Sequence, residues 1–176
     1  LHDVDFLIMS SPPKDINITP IYCYGVNEHK YKGEQIISSA SCTTNCIAPM
    51  LKFLNKFKID NGNFITVHSA TASQSVVDTA NFTKRTNRSI FNNIIPHTTG
   101  ASDSLNIVLP EIKDKIIGTS VRVPVSNVSM IELSELAAQR VDDGHPCLPH
   151  HRHLHHCCHL HQCASTDTDS SDGGSR

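Results

Sequence analysis

The 176-residue chain lacks several things at once. No apolar run reaches the roughly 20 residues that a helix needs to cross a bilayer, and the N-terminus carries no signal-peptide pattern. Neither sign of charge dominates: 15 basic against 17 acidic side chains leave a net −2. That balance gives no footing for nucleic acid or for an anionic membrane surface. The glycine-rich fingerprint that cradles a dinucleotide pyrophosphate is missing. So is an initiating methionine, and a chain that opens at Leu1 reads as an internal piece of something longer. Its length holds one modest domain or pieces of two. Cysteine, by contrast, is plentiful, at seven. Yet Cys23, Cys42 and Cys46 are scattered through a globular-looking region, and the other four crowd the tail. A reduced, cytosolic setting fits that distribution better than a secreted disulfide scaffold.

What is present centres on Ser41-Cys42-Thr43-Thr44-Asn45-Cys46. An extended run over residues 34–39 leads into it. Beyond it Ile47, Met50, Leu51, Leu54 and Phe57 recur at helical spacing, which predicts a helix to about Phe57 with Pro49 bending it. Small hydroxyl residues at the junction are good N-caps. A thiol at such a place meets the unpaired N–H groups and positive end of the helix, which lower its pKa and favour thiolate. Cys42 is therefore a candidate nucleophile, the alternative being a buried, inert cysteine. Cys46, one turn later, reads as a small buried residue, with an oxidative bridge to Cys42 as the lesser alternative. No third or fourth ligand follows at finger-like spacing, so no metal site is expected there.

The remaining pattern is coarser. Residues 5–9 form a short apolar strand that stops at Ser10-Ser11-Pro12-Pro13, and residues 21–26 and 36–37 read as two more strands. Residues 60–63 (Asp, Asn, Gly, Asn) read as a turn. Residues 64–69 form a strand with Phe64, Thr66 and His68 on one face. Residues 79–92 are polar, carry Lys84, Arg85 and Arg88, and read as a long surface loop. Thr98-Thr99-Gly100-Ala101 opens a helix marked by Leu105, Val108, Leu109 and Ile112. Its start offers bare N–H groups to an anion or an ordinary N-cap. Residues 116–133 alternate as one long strand, with Val121, Val123 and Val125 on one face and Arg122 on the other. From about Gln139 the composition turns to histidine, cysteine, serine and aspartate and cannot build a packed core.

Ser-Cys-Thr-Thr-Asn-Cys-Ile-Ala-Pro at residues 41–49 resembles the active-site signature of phosphorylating glyceraldehyde-3-phosphate dehydrogenases. Further matches follow in order: Thr66-Val67-His68-Ser69-Ala70-Thr71, Asn93-Ile94-Ile95-Pro96, Thr99-Gly100-Ala101, Arg122-Val123-Pro124 and Asn127-Val128-Ser129. The resemblance runs from about Leu7 to Leu136. It implies an α/β chain in which residues 1–40 are the C-terminal portion of a Rossmann-type NAD-binding domain. Residues 41–138 would then open an α+β catalytic domain with a mostly antiparallel sheet, followed by a disordered His/Cys-rich tail over 139–176.

The same resemblance implies roles. Cys42 is the nucleophile and His68 the general base. Ser41, Thr43, Thr71, Thr99, Gly100 and Arg122 bind phosphoryl groups, and Ser10 sits near the NAD; no metal is involved. The substrates are glyceraldehyde 3-phosphate and inorganic phosphate, the assembly is a homotetramer, and the setting is cytoplasmic glycolysis. Three residues depart from the family pattern: Ser39 for an asparagine, Ser73 for a threonine, and His97 for a small residue. The connection from Cys42 to His68 is also slightly short, and the loop at 79–92 lacks the family's tryptophan and glycines. Two further readings stand beside this one: an erythrose-4-phosphate dehydrogenase, and a non-catalytic fragment that acts only by binding. The tail reads as a metal-binding module or as a reading-frame or splice departure near Ala138, and the abruptness of the change favours the latter. Unpartnered strand edges predict a chain that is unstable alone, with little or no activity.

Overall fold

The computed structural model describes residues 4–80, 84–137 and 150–156, with 136–137 and 150–156 described through their backbone. The elements that matter here are β1 (Leu7–Met9), β2 (Ile36–Ser38), α1 (Cys42–Leu54), β3 (Ile59–His68), β4 (Ile95–His97), α2 (Ala101–Val108), β5 (Ile116–Arg122), β6 (Met130–Ala137) and β7 (His150–His156). β1 and β2 form a small parallel pair. The other strands form a mixed sheet in the order β4-β5-β3-β6-β7. Only β3 and β5 run parallel in it; the other three pairings are antiparallel.

Alternation along β3 explains the layering. Phe64, Thr66 and His68 are buried on one face, where Ile131 and Leu133 of β6 and Ile116 of β5 join them. Ile47, Ala48 and Leu51 of α1 and Leu105 and Val108 of α2 complete that core. Their three-to-four-residue spacing is the apolar stripe that a sheet-covering helix must present. Ile65, Ile117 and Met130 remain exposed.

Several expectations are corrected. Residues 21–26 do not form a strand: Ile21 makes a single bridge to Ser38, and the chain then turns back. The amides of Val26 and Asn27 both donate to the Cys23 carbonyl, Gly25 adopts φ +75°, and the Asn27 side chain accepts from the Cys23 amide at 2.7 Å. A side chain able to cap its own turn competes successfully with strand pairing. The turn expected at 60–63 lies instead inside β3, and the reversal comes earlier, at Lys58 with φ +58°. Pairing with β6 from Asn61 and with β5 from Gly62 outweighs the turn propensity of this run, and Asp60 is passed over at a register shift.

The single strand expected over 116–133 is two. β5 ends at Arg122; Pro124 cannot donate to a ladder, and the Val125 amide folds back onto the Val123 carbonyl at 2.8 Å. Val121, Val123 and Val125 therefore do not share a strand face. α1 ends at Leu54 and α2 at Val108, each followed by a 3₁₀ turn, Asn55–Phe57 and Pro110–Ile112. Within the tail, expected to be disordered, β7 pairs antiparallel with β6 from Ile131↔His156 to Ala137↔His150. An edge strand presents unpaired backbone groups that any extended segment can satisfy, whatever its side chains. The tail's cysteines lie outside the described residues.

Candidate active site

The turn between β2 and α1 is held by its own side chains. Ala40 is buried with φ +61°, a left-handed conformation unusual for a residue with a Cβ. Its amide donates to Ser38 Oγ at 3.1 Å, and that hydroxyl donates to the Ser11 carbonyl at 2.7 Å. Asn45 Nδ2 donates to the carbonyls of Ser39 and Ser41, strapping the turn from inside the helix. Ser41 is the N-cap: its Oγ accepts from the Thr44 amide at 3.1 Å. Cys42 thus occupies the first helical position, where the backbone amides have no partner within the helix.

The Cys42 thiol is exposed, and its Sγ lies 3.4 Å from His68 Nε2. That hydrogen bond is the main reason its pKa falls below the ordinary thiol value. The charge of the imidazolium and hydrogen bonds from Thr43 add to the effect, against partial burial. Cys42 and Thr43 come from the start of α1, whereas His68 closes β3. Because β3 and β5 are parallel and His68 is in register with Arg122, both side chains emerge at the carboxyl end of the sheet.

His68 Nδ1 lies 2.9 Å from the Ser69 carbonyl and in contact with Arg122 Nη1, which also donates to that carbonyl at 3.1 Å. The two protonation states of the ring use this arrangement differently. As imidazolium, Nδ1–H donates to Ser69 and Nε2–H to the sulfur; as a neutral ring with Nδ1 bare, it accepts from Arg122. Burial disfavours the charged guanidinium, while the nearby Cys42 thiolate favours it. Arg122 Nε is buried with no partner among the described residues, so the guanidinium has donor capacity left to give.

His68 touches both Cys42 and Arg122, one at each ring nitrogen. The other expected residues are spread around them. Thr71 sits in its own hydrogen-bonded turn, its amide and hydroxyl both donating to Gln74 Oε1 at 2.9 and 3.0 Å. The Thr99 hydroxyl accepts from the Ala101 amide at 3.2 Å, and Gly100 is the exposed N-cap of α2. Ser10 is exposed just past the end of β1. Sequence reasoning missed the supporting residues. Ser129 Oγ accepts from the Ser69 amide at 3.1 Å and so fixes the carbonyl that orients His68. The strap made by Asn45 was equally unforeseen; its signal was an amide side chain three residues into a helix start.

Residues 41–143 match the profile of the glyceraldehyde 3-phosphate dehydrogenase C-terminal domain. The chain is 49% identical over 130 residues to the glyceraldehyde-3-phosphate dehydrogenase of Bacteroides fragilis (strain YCH46), covering 73% of this chain and 38% of that protein. It is 44% identical over 130 residues to glyceraldehyde-3-phosphate dehydrogenase 1 of Kluyveromyces marxianus, covering 73% and 39%. To the cytosolic enzyme of Leishmania mexicana the identity is 45% over 130 residues, covering 73% and 39%. The matched part thus spans about two fifths of the length of these curated relatives. With more than half its residues matching that domain and a mixed, mostly antiparallel sheet carrying the matched motifs, the chain belongs to the glyceraldehyde-3-phosphate dehydrogenase family.

Proposed function

We propose that the chain carries the acyl-transfer half of a phosphorylating aldehyde dehydrogenase acting on glyceraldehyde 3-phosphate in the cytoplasm. The observation that carries this reading is the 3.4 Å contact between Cys42 Sγ and His68 Nε2 with Arg122 behind the ring. The thiolate of Cys42 adds to the aldehyde carbon, and His68 protonates the resulting oxygen and later removes that proton. NAD+, when bound, supplies the hydride acceptor for the oxidation that converts this adduct to a thioester. Inorganic phosphate then attacks the thioester carbon, the C–S bond breaks, and Cys42 leaves as thiolate.

Arg122 and Thr71 would hold the substrate's phosphoryl group, and Ser41, Thr43, Thr99 and Gly100 the attacking phosphate. Ser41 caps α1 and the Thr99 hydroxyl accepts from the Ala101 amide, so both hydroxyls are oriented before any anion arrives. Residues 1–40 would close a nucleotide-binding domain of Rossmann type and 41–138 open the catalytic one. In support, β1 and β2 are parallel, and such sheets bind nucleotides outside their carboxyl ends. Ser10, exposed at that end of β1, fits a contact with the cofactor there; the residues present supply no pyrophosphate cradle. As in the parent family, the assembly would be a homotetramer.

Acyl transfer can be tested without the cofactor. Acetyl phosphate offers the same acyl-phosphate group in reverse: the Cys42 thiolate attacks the acyl carbon and phosphate leaves. Intact-mass and peptide analysis should find one acetyl group on Cys42, none in Cys42→Ser, and slower acetylation in His68→Gln. Random acetylation of lysines with Cys42 untouched would refute the proposal. Oxidation is a separate matter. The purified chain, given glyceraldehyde 3-phosphate, NAD+ and phosphate, is expected to form little or no NADH; readily measurable turnover that disappears in Cys42→Ser would show this expectation to be wrong. Supplying erythrose 4-phosphate in parallel distinguishes the two aldehyde phosphates.

A further inference from the structure

A cysteine that the acyl-transfer chemistry leaves unused is tied to Cys42 through one side chain. Cys23 is buried in the turn that follows Ile21. Asn27 holds this turn at two points: its Oδ1 accepts from the Cys23 amide at 2.7 Å, and its Nδ2 donates to the Ile21 carbonyl at 3.0 Å. The Cys23 thiol donates to Asn45 Oδ1 at 3.2 Å, well inside its 3.9 Å distance to the Tyr24 carbonyl. The bond joins segments 22 residues apart in sequence.

With its oxygen taken, the Asn45 carboxamide presents its NH2 to the turn between β2 and α1. Nδ2 donates to the Ser39 carbonyl at 2.5 Å and to the Ser41 carbonyl at 3.0 Å. These carbonyls lie on either side of Ala40, the residue held at φ +61°. A carboxamide rotated by half a turn would set its oxygen against both carbonyls and its NH2 against a weak donor. The thiol thus selects the one orientation that holds the turn. Asn45 is exposed, so water would satisfy the two carbonyls in its absence, without holding them at one geometry. Cys42 follows directly, and from the first helical position its thiol must meet His68 Nε2.

We infer that Asn45 and Cys23 are positioning residues for the nucleophile: the Cys23 thiol orients the Asn45 amide, and that amide holds the strained turn from which Cys42 reaches His68. The inference rests on the proposed reading of Cys42 as the nucleophile of acyl transfer. The titratable and charged groups around Cys42 are His68 from β3, Arg122 from β5 and, one turn along α1 itself, Cys46. Around Cys23 they are Glu28 and Lys52. None of these five is altered in the variants that follow.

The pH profile of Cys42 alkylation by iodoacetamide in the full chain is the test. Its inflection reports the pairing of thiol with imidazole, which a loss of stability alone does not move. Asn45→Ala should shift the inflection to higher pH and cut the rate at neutral pH about tenfold. Cys23→Val, close in volume but without a donor, should act in the same direction by about threefold, the scale of one neutral hydrogen bond. Cys23→Ser restores a donor and should return most of that loss. In the Asn45→Ala background, Cys23→Val should add nothing, since its partner is gone. If the melting temperature falls while the inflection stays, or if Cys23→Ser behaves as Cys23→Val does, the inference is overturned. Should Asn45→Ala fail to fold, the two Cys23 variants still decide. A parent chain whose Cys42 titrates as an ordinary thiol overturns the acyl-transfer reading and this inference together. A lowered inflection that no variant moves overturns this inference alone.

Discussion

Iodoacetamide at neutral pH should alkylate Cys42 on the order of a hundredfold faster than Cys23, because thiolate fraction and access both favour the former. Cys23 is 1% exposed, and its thiol donates to Asn45 Oδ1 at 3.2 Å. Burial, and the nearby carboxylate of Glu28, push its pKa up; Lys52 opposes this only in part. At Cys42 the direction is opposite, with the His68 hydrogen bond foremost. An acid whose pKa is lowered reaches full ionisation earlier as pH rises. The Cys42 alkylation profile should therefore level off at a lower pH than that of an ordinary thiol. His68→Gln removes both the hydrogen bond and the imidazolium charge, so the inflection should move to higher pH. The rate at neutral pH should then fall, by about tenfold for every pH unit that the inflection climbs. Peptide mapping reads both cysteines in one sample. Equal rates at the two positions, or a profile indifferent to His68→Gln, would leave the thiol inert and the acyl-transfer reading without its nucleophile.

The nucleophile was legible in the sequence because everything that makes it reactive is local. A short extended run, hydroxyl caps and an apolar helical stripe all lie within residues 34–57. The contact of His68 with Arg122 was not legible, since it depends on a parallel register between strands 54 residues apart in sequence. Periodicity also misled at 116–133, where alternation continues through a proline that ends β5. Near Lys58 the failure was of another kind. The Asp-Asn-Gly run has turn chemistry, but pairing with β6 at Asn61 and with both neighbours at Gly62 drew it into β3, and a lysine took the left-handed position instead. Local preference was overruled by pairing that no window of sequence contains. β7 shows the same physics from the other side: its backbone pairs with β6 although its composition signalled no structure.

A large effect on stability should come from a single added methyl group. Gly118 lies directly across the β3–β5 ladder from Phe64. A Cβ built on it would meet three carbons of the Phe64 ring within 2.9 Å, closer than side-chain atoms tolerate. Phe64 is 0% exposed, with Leu133 opposite it on β6 and the helices α1 and α2 packed over the same core. The ring therefore has nowhere to go. Gly118→Ala should cost about 1–3 kcal/mol as overpacking, and more if the ring is driven from its rotamer. Phe64→Ala leaves a void instead and should cost about 3–5 kcal/mol. Against a domain stability of about 5–15 kcal/mol, either loss is large. The pair should be coupled: Phe64→Leu, which shortens the side chain, should recover part of the Gly118→Ala loss although it destabilises the parent chain. Phe64 also lies four residues before His68 on the same strand face, so a displaced ring disturbs the strand that carries the imidazole. Cys42 alkylation should slow along with the drop in melting temperature. Denaturant melts of the three variants and the double variant decide it. If Gly118→Ala lies within about 0.5 kcal/mol of the parent, as a surface change would, the close contact between this glycine and the ring is not what holds β3 against β5.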